Sequence, residues 1–217
     1  MRQILLAVSL FLAAASSFTQ ASPARPSVPS GIVFEGDSIT AGVGQNTLSY
    51  PAQFGALTGI PFTNNGLPGD KLIRMRSGYR QDAAPLFNAA TRDTLVINGG
   101  TNDIGGDGTS AAVLEGYVRD MAAAARATGY KVFVSTITPR GFGPAQEAIR
   151  AAFNRAMRDQ WRDFADGMID FDAAVPYDGA HFYDGLHPSN QGAALMAHKV
   201  GSALGIALAA VPSKGRP

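Results

Sequence analysis

The chain of 217 residues contains no cysteine and only three histidines. Without thiols it forms no disulfide, has no thiolate nucleophile and offers no cysteine ligand to a metal ion. Three histidines make a closed zinc site hard to assemble, so we expect no metal and no cofactor. The charges are nearly balanced, with a formal net charge of +1, which argues against nucleic acid or an anionic membrane surface as a partner.

The N-terminal apolar run is too short to cross a bilayer. Residues 4–15 are apolar except for Ser9, follow Arg2 and precede Thr19-Gln20-Ala21, which fits a small-residue cleavage site. A spanning helix needs ~20 apolar residues, whereas a basic start, a short apolar core and small residues are typical of a signal peptide. We therefore predict a signal peptide over 1–21, cleaved after Ala21, no stable membrane insertion, and a secreted or periplasmic protein. The missing cysteines weakly favour a bacterial exterior or periplasm.

Proline marks the limits of the predicted domain. Three prolines within 22–30 predict a linker, and 211–217 predicts a flexible tail. The length between them suits one domain over 31–210, and the hydrophobic content of 46% is enough for a sizeable core.

Short apolar stretches alternate with helical ones across this domain. The predicted strands cover 31–35, 60–63, 94–97, 131–136 and 168–171, and the second is the weakest. The predicted helices cover 110–128, ending at Gly129, then 144–164 with a core-facing stripe of Ile149, Phe153, Met157 and Trp161, and 190–208 capped by Ser189. This alternation predicts an α/β fold with a mostly parallel sheet and helices on both faces.

In such a sheet, ligands bind outside the carboxyl ends of the strands. Three segments follow predicted strands, at 36–40, 65–70 and 98–103, and a fourth precedes the last helix, at 184–188. We expect all four to converge at one edge of the sheet.

Ser38 and His187 are the candidate nucleophile and base. A serine hydroxyl needs a base to take its proton, and a strand-to-helix turn exposes the hydroxyl. Asp184 lies three residues before His187, a spacing that lets the carboxylate hold one ring nitrogen while the other faces the serine. Asp178 and His181 repeat this spacing and are the competing pair, without the Pro-Ser helix start that follows His187. Taken singly, Ser38 also fits a helix cap and each aspartate-histidine pair a surface turn.

Acyl transfer also needs donors for the developing oxyanion. The candidates are the amides of Ser38 and Gly69 and the side-chain amide of Asn102. Gly69 has no side chain, so its amide can approach a substrate closely. Taken singly, Gly69 also fits a turn glycine and Asn102 a turn or cap residue.

Together, the four segments resemble those of the GDSL esterases, also called SGNH hydrolases. The first reads Gly-Asp-Ser-Ile-Thr at 36–40, with Ile39 where the family commonly has leucine. The segment at 65–70 is similar to the family's glycine segment, with Gly69 as the oxyanion glycine and Gly66 as the alternative. Gly-Thr-Asn-Asp at 100–103 and Asp-Gly-Leu-His-Pro at 184–188 are similar to the remaining two. The resemblance spans residues 31 to about 208.

The resemblance implies a three-layer α/β/α sandwich, similar to flavodoxin, around a five-stranded parallel sheet. It implies a serine esterase with catalytic Ser38, Asp184 and His187, in which Asp37 and Asp103 tie the loops together. We expect a monomer acting on small-molecule or glycan esters, with short acyl groups because little sequence remains for a lid. Alternatives of the same fold are a lysophospholipase, a thioesterase and a non-catalytic carbohydrate-binding relative.

Two other folds are disfavoured by single positions. Gly42 and Gly44 are spaced like the start of a dinucleotide-binding turn, but Thr47 stands where the third glycine belongs and no P-loop lysine follows. The nucleophile elbow of an α/β-hydrolase requires glycine where Thr40 stands.

Overall fold

The computed structural model describes residues 28–44 and 48–208. The predicted signal peptide, most of the predicted linker and the predicted tail lie outside these residues. The strands are β1 (Ile32–Gly36), β2 (Phe62–Gly66), β3 (Thr94–Asn98), β4 (Lys131–Ser135) and β5 (Gly167–Ile169). The helices are α1 (Ser38–Ala41), α2 (Tyr50–Thr58), α3 (Leu72–Asp82), α4 (Ala111–Thr128), α5 (Pro144–Gln160), α6 (Phe171–Ala174) and α7 (Asn190–Ala203). Short 3₁₀ turns at Ala84–Leu86 and Trp161–Asp163 and a π turn at Asp103–Asp107 complete the described elements.

The five strands form one parallel sheet in the order β2-β1-β3-β4-β5. In its register Gly36 lies beside both Gly66 and Asn98. The last residues of β1, β2 and β3 are therefore level, and the loops that follow leave the sheet at the same edge. The predicted α/β class and five-stranded parallel sheet are confirmed.

Helices cover both faces of the sheet, because successive side chains of a buried parallel strand point to opposite sides. Val33 packs with residues of α3, α4 and α5 on one face, whereas Ile32 and Phe34 pack with residues of α2 and α7 on the other. The predicted stripe of α5 belongs to the first face, where Phe153 and Met157 are fully buried.

The second strand differs from its prediction. It begins two residues later than expected and continues through Gly66. It is an edge strand with few buried side chains, so the apolar signal that reveals a strand is missing. Its asparagines are instead held by polar contacts: Asn64 Nδ2 donates to the carbonyl of Thr40 at 2.8 Å, and Asn65 Nδ2 donates to the Glu35 carboxylate.

Helices α2 and α3 have no counterpart among the three helices predicted above. The first has Pro51 in its opening turn and Gly55 in its interior, and the second buries few of its side chains. The fifth strand is shorter than predicted, because Asp170 caps α6 by accepting a hydrogen bond from the Ala173 amide at 3.2 Å. Among the described residues, none of the helices has the length and apolarity needed to span a membrane.

Candidate active site

Ser38 is the first residue of α1, directly after β1. Asp37 caps this helix, since its Oδ1 accepts a hydrogen bond from the Ile39 amide at 2.9 Å. The strand passes so close to the helix that a Cβ atom at Gly36 would lie 2.1 Å from Thr40 Oγ1. Glycine at 36 thus allows the sharp turn, which leaves the Ser38 side chain at the carboxyl edge of the sheet with 6% of its surface exposed.

His187 connects Ser38 to Asp184. Its Nε2 lies 2.9 Å from Ser38 Oγ, and its Nδ1 lies 2.7 Å from Asp184 Oδ2. The other carboxylate oxygen accepts hydrogen bonds from the backbone amides of His187, at 2.7 Å, and Leu186, at 2.9 Å. Partial burial opposes ionisation of Asp184, but these hydrogen bonds outweigh it and lower its pKa to about 2. Asp184 is therefore an anion at neutral pH, as the partner of an imidazolium must be.

The competing pair forms the same turn without reaching the serine. His181 Nδ1 lies 2.7 Å from Asp178 Oδ1, and that oxygen also accepts from the amides of Ala180 and His181. Among the described residues, Nε2 of His181 has no hydrogen-bond partner. The structure therefore brings Ser38 together with His187 and Asp184, and not with His181.

The segment that carries His187 is anchored on both sides. The Tyr183 amide donates to the His187 carbonyl at 3.2 Å, and the Ser189 amide donates to the His181 carbonyl at 2.8 Å. Ser189 then caps α7 as predicted, accepting from two amides of its first turn. The Tyr183 ring also stacks on the imidazole of His187, with ring centroids 5.7 Å apart and an interplanar angle of 19°. These contacts restrict the imidazole to few orientations.

The predicted oxyanion residues lie on loops that are joined to each other. Asn102 Nδ2 donates to the Asp70 carbonyl at 2.8 Å, next to Gly69, and leaves its second hydrogen for another acceptor. The Leu67 amide donates to the Gly36 carbonyl at 2.9 Å, which fixes the same loop to the end of β1. The backbone amides of Ser38 and Gly69 donate no hydrogen bond to any of the described residues.

The two glycines proposed for the oxyanion site differ in their surroundings. A Cβ at Gly66 would lie 2.3 Å from the backbone nitrogen of Ala41, so packing against α1 explains this glycine. Gly69 has a φ of 81° and open space where a side chain would be. Its exposed backbone favours Gly69 over Gly66 as the donor.

Asp37 and Asp103 are buried beneath these loops. Burial raises the pKa of Asp37 to about 7, against the effect of the Ile39 hydrogen bond, and nearby Asp103 raises it further. Asp103 Oδ2 accepts from the Leu72 amide at 2.9 Å, whereas its buried Oδ1 has no partner among the described residues. Both carboxyl groups thus hold loop or helix backbone, which matches the role that the family resemblance implies.

Two charged residues near the site were not singled out from the sequence. Glu35 is buried inside β1, and burial raises its pKa to about 7 although the Asn65 side chain donates to it. Arg140 donates from Nη1 to the Thr101 carbonyl at 3.2 Å and stacks on Phe142. The sequence could have indicated Glu35, because it is the one acidic residue in an otherwise apolar strand. No sequence pattern indicated Arg140.

No group of three or more histidine, aspartate or glutamate side chains within 28–44 and 48–208 is placed to hold a metal ion. The geometry instead provides a hydroxyl, a base that touches it, a carboxylate that holds the base, and unused donors on adjoining loops. Such a set is suited to acyl transfer through the serine.

A family model described as the GDSL-like lipase/acylhydrolase family matches residues 34–195. The chain belongs to this family. The match covers Ser38 and His187, together with the segments at 65–70 and 98–103, so the resemblance drawn from the sequence motifs is confirmed.

Solved structures of GDSL proteins share the fold. An acetylxylan esterase from Geobacillus stearothermophilus matches with a TM-score of 0.66 and 18% identity, over 82% of this chain and 94% of that one. A GDSL-like lipase from Bacteroides thetaiotaomicron matches with 0.61 and 20%, over 81% and 88%. A member of the lipolytic G-D-S-L family from Veillonella parvula matches with 0.66 and 20%, over 79% and 96%. No match was found among curated protein sequences.

Proposed function

We propose that this GDSL protein is a serine carboxylesterase that works through an acyl-enzyme. The observation that carries the proposal is the hydrogen-bonded chain from Ser38 Oγ through His187 to Asp184, with distances of 2.9 and 2.7 Å. Asp184 holds Nδ1 and leaves Nε2 as the basic nitrogen that faces the hydroxyl.

In the first half-reaction Ser38 Oγ attacks the ester carbonyl carbon while His187 Nε2 takes the hydroxyl proton. The carbonyl oxygen becomes an oxyanion, for which the amides of Ser38 and Gly69 and the Asn102 side chain are the proposed donors. The carbon–oxygen bond to the alcohol then breaks, and His187 gives its proton to that alcohol. The serine is left acylated.

In the second half-reaction a water molecule attacks the acyl carbon and gives a proton to His187. The bond to Ser38 breaks, the serine oxygen recovers the proton, and the carboxylic acid leaves. Every proton is carried by His187, so the proposed cycle needs no metal ion or organic cofactor.

We propose that the ester substrates carry short acyl groups. A cavity of about 410 Å³ at the end of β2 is lined mostly by polar side chains, namely Asn64, Asn65, Arg74, Gln81 and Asp82, together with Gly66 and Leu67. Leu67 is the one apolar side chain in this lining, so a long acyl chain placed there would gain little of the ~0.8 kcal/mol that each buried methylene supplies. The structural similarity to an acetylxylan esterase supports acetyl esters of carbohydrates as the proposed substrates.

We also propose that residues 1–21 direct secretion, which N-terminal analysis of the protein exported by a bacterial host will check.

The nucleophile is tested by a fluorophosphonate probe together with hydrolysis of p-nitrophenyl acetate. We expect the probe to modify Ser38, identified by peptide mass spectrometry, and to abolish hydrolysis. Ser38→Ala should not react with the probe, and its kcat should be lower by a factor of at least ~10³. Near-normal hydrolysis by a folded Ser38→Ala protein would exclude the mechanism.

A further inference from the structure

An aromatic cleft lies beside the proposed base. It has a volume of about 330 Å³ and is lined by Tyr177, Asp178, Gly179, Phe182, Tyr183 and Gly185. That volume falls at the small end of the range for small-molecule sites. None of the motifs includes its aromatic residues.

Two of the aromatic rings in the cleft are unusually exposed. Half of the Tyr177 surface and 46% of the Tyr183 surface are accessible, whereas Phe182 between them in sequence is buried. Tyr177 packs on Phe182 with ring centroids 5.4 Å apart, and its hydroxyl donates to the Gly185 carbonyl at 3.2 Å. The same carbonyl accepts from the Gly141 amide at 3.0 Å. The Tyr177 ring is thus held in place while its face stays open.

The cleft adjoins the proposed base through Tyr183. His187 donates the proton to the departing alcohol, so that part of the ester has to lie next to the imidazole. Tyr183 lines the cleft and stacks on that imidazole. The oxyanion candidates, Gly69 and Asn102, belong to other loops. The alcohol portion of the ester is therefore the part that this cleft can contact.

The lining has the chemistry of a sugar site. Aromatic faces bind the C–H faces of a pyranose, and polar groups at the rim accept hydrogen bonds from its hydroxyls. Asp178 supplies such a group, because its Oδ2 accepts no hydrogen bond from the part of the chain that the structure describes. The lining contains this carboxylate and no lysine or arginine, which disfavours an alcohol that carries phosphate or carboxylate.

We propose that the cleft of Tyr177, Phe182 and Tyr183 binds the sugar ring of an acylated carbohydrate, with the ring stacked on Tyr177. The proposal rests on the proposed esterase function, for which it names the alcohol side of the substrate. It makes Tyr177 a specificity-determining residue that takes no part in breaking or forming the bonds.

The test compares two acetyl esters that differ only in the alcohol, an O-acetylated methyl pyranoside and ethyl acetate. The measured quantity is the ratio of kcat/KM for the pyranoside to that for ethyl acetate. Tyr177→Ala should lower this ratio about tenfold, mainly through KM for the pyranoside. Tyr177→Phe is the matched control, since it keeps the ring and removes only the hydroxyl, and it should retain most of the ratio. A ratio unchanged in Tyr177→Ala would overturn the proposal.

Binding without turnover separates this proposal from the proposed function. The same pyranoside ester is titrated into Ser38→Ala and into Ser38→Ala with Tyr177→Ala, and ligand binding is followed by saturation-transfer NMR. We expect binding to the first protein and a loss of about tenfold in affinity in the second, with unchanged thermal unfolding. Equal binding by both proteins would refute the sugar site. If the wild-type protein hydrolyses no ester, the esterase proposal fails, and this titration still decides whether the cleft binds sugar.

Discussion

His181 and His187 stand in similar turns: in each, Nδ1 lies 2.7 Å from a carboxylate oxygen of the aspartate three residues earlier. What distinguishes them is the other nitrogen, because only Nε2 of His187 contacts Ser38 among the described residues. The two histidines are therefore a natural control for each other.

Replacing each histidine by alanine should give opposite results. We expect His187→Ala to lose nearly as much kcat as Ser38→Ala, at least ~10³, because the hydroxyl loses its base. His181→Ala removes an equivalent aspartate–histidine contact and should keep most of the activity. Asp184→Ala should retain more activity than His187→Ala, since the carboxylate only orients the ring and stabilises its charge. Rates of p-nitrophenyl acetate hydrolysis by the three variants test these expectations. An inactive His181→Ala together with an active His187→Ala would identify His181 as the base.

Asn102→Ala should lower kcat by about 10²–10³ with little change in KM. The reason is that an oxyanion donor strengthens its hydrogen bond when charge develops in the transition state. Because Asn102 also donates to the Asp70 carbonyl, thermal unfolding of the variant must be measured alongside. An effect confined to KM would show that the side chain serves ground-state binding only.

The kcat/KM for ester hydrolysis should fall as the acyl chain becomes longer. On p-nitrophenyl esters we expect the highest kcat/KM for acetyl to butyryl groups and a steep fall beyond about eight carbons, because the mostly polar lining of the cavity at the end of β2 would bury few added methylenes. The leaving group is constant in this series, so the aromatic cleft does not affect the comparison. Rates that rise from butyrate to palmitate would instead indicate a lipase or lysophospholipase.

Glu35 should make stability fall as pH rises. Its pKa is raised from 4.5 to about 7 by burial in the folded protein, so the folded state binds this proton more tightly than the unfolded state. The contribution is fully present below about pH 4.5 and is lost as pH rises through 7, by about 3 kcal/mol. Glu35→Gln keeps an acceptor for Asn65 and cannot ionise.

We therefore expect the difference in Tm between Glu35→Gln and the wild-type protein to grow in favour of the variant from pH 5 to pH 8. Glu115→Gln, which removes a carboxylate paired with Arg119 on the surface of α4, controls for the loss of one negative charge. A constant difference across that pH range would show that Glu35 does not titrate as inferred.

The sequence predicted the central strands well and the edge strand poorly. All residues of β1 and β3 are buried, so their apolar composition reveals them directly. The edge strand β2 is held by Asn64 and Asn65 through contacts to Thr40 and Glu35, which no local pattern records. Similarly, α3 buries little beyond Leu72, Met75 and Tyr79, too few to stand out in a polar stretch.

Some residues of the site could be predicted from the sequence and others could not. Ser38, Asp184 and His187 stand in motifs whose residue types and spacing indicate chemistry, and the structure joins them. Choosing between His181 and His187 required the three-dimensional contact to Ser38, because both local turns are alike. Tyr177 and Tyr183 could not be recognised in advance, since the exposure of an aromatic ring depends on packing by distant segments such as the loop at Gly141.

The serine and its base stand 149 positions apart in the chain. The turn with His187 leads into α7, whose first residue, Asn190, accepts hydrogen bonds from Gln53 Nε2 at 3.1 Å and from the Leu48 amide at 2.7 Å. A nascent chain therefore carries its nucleophile without a base until His187 has left the ribosome. Recovery of ester hydrolysis after dilution from denaturant should accordingly not precede the docking of α7 against α2.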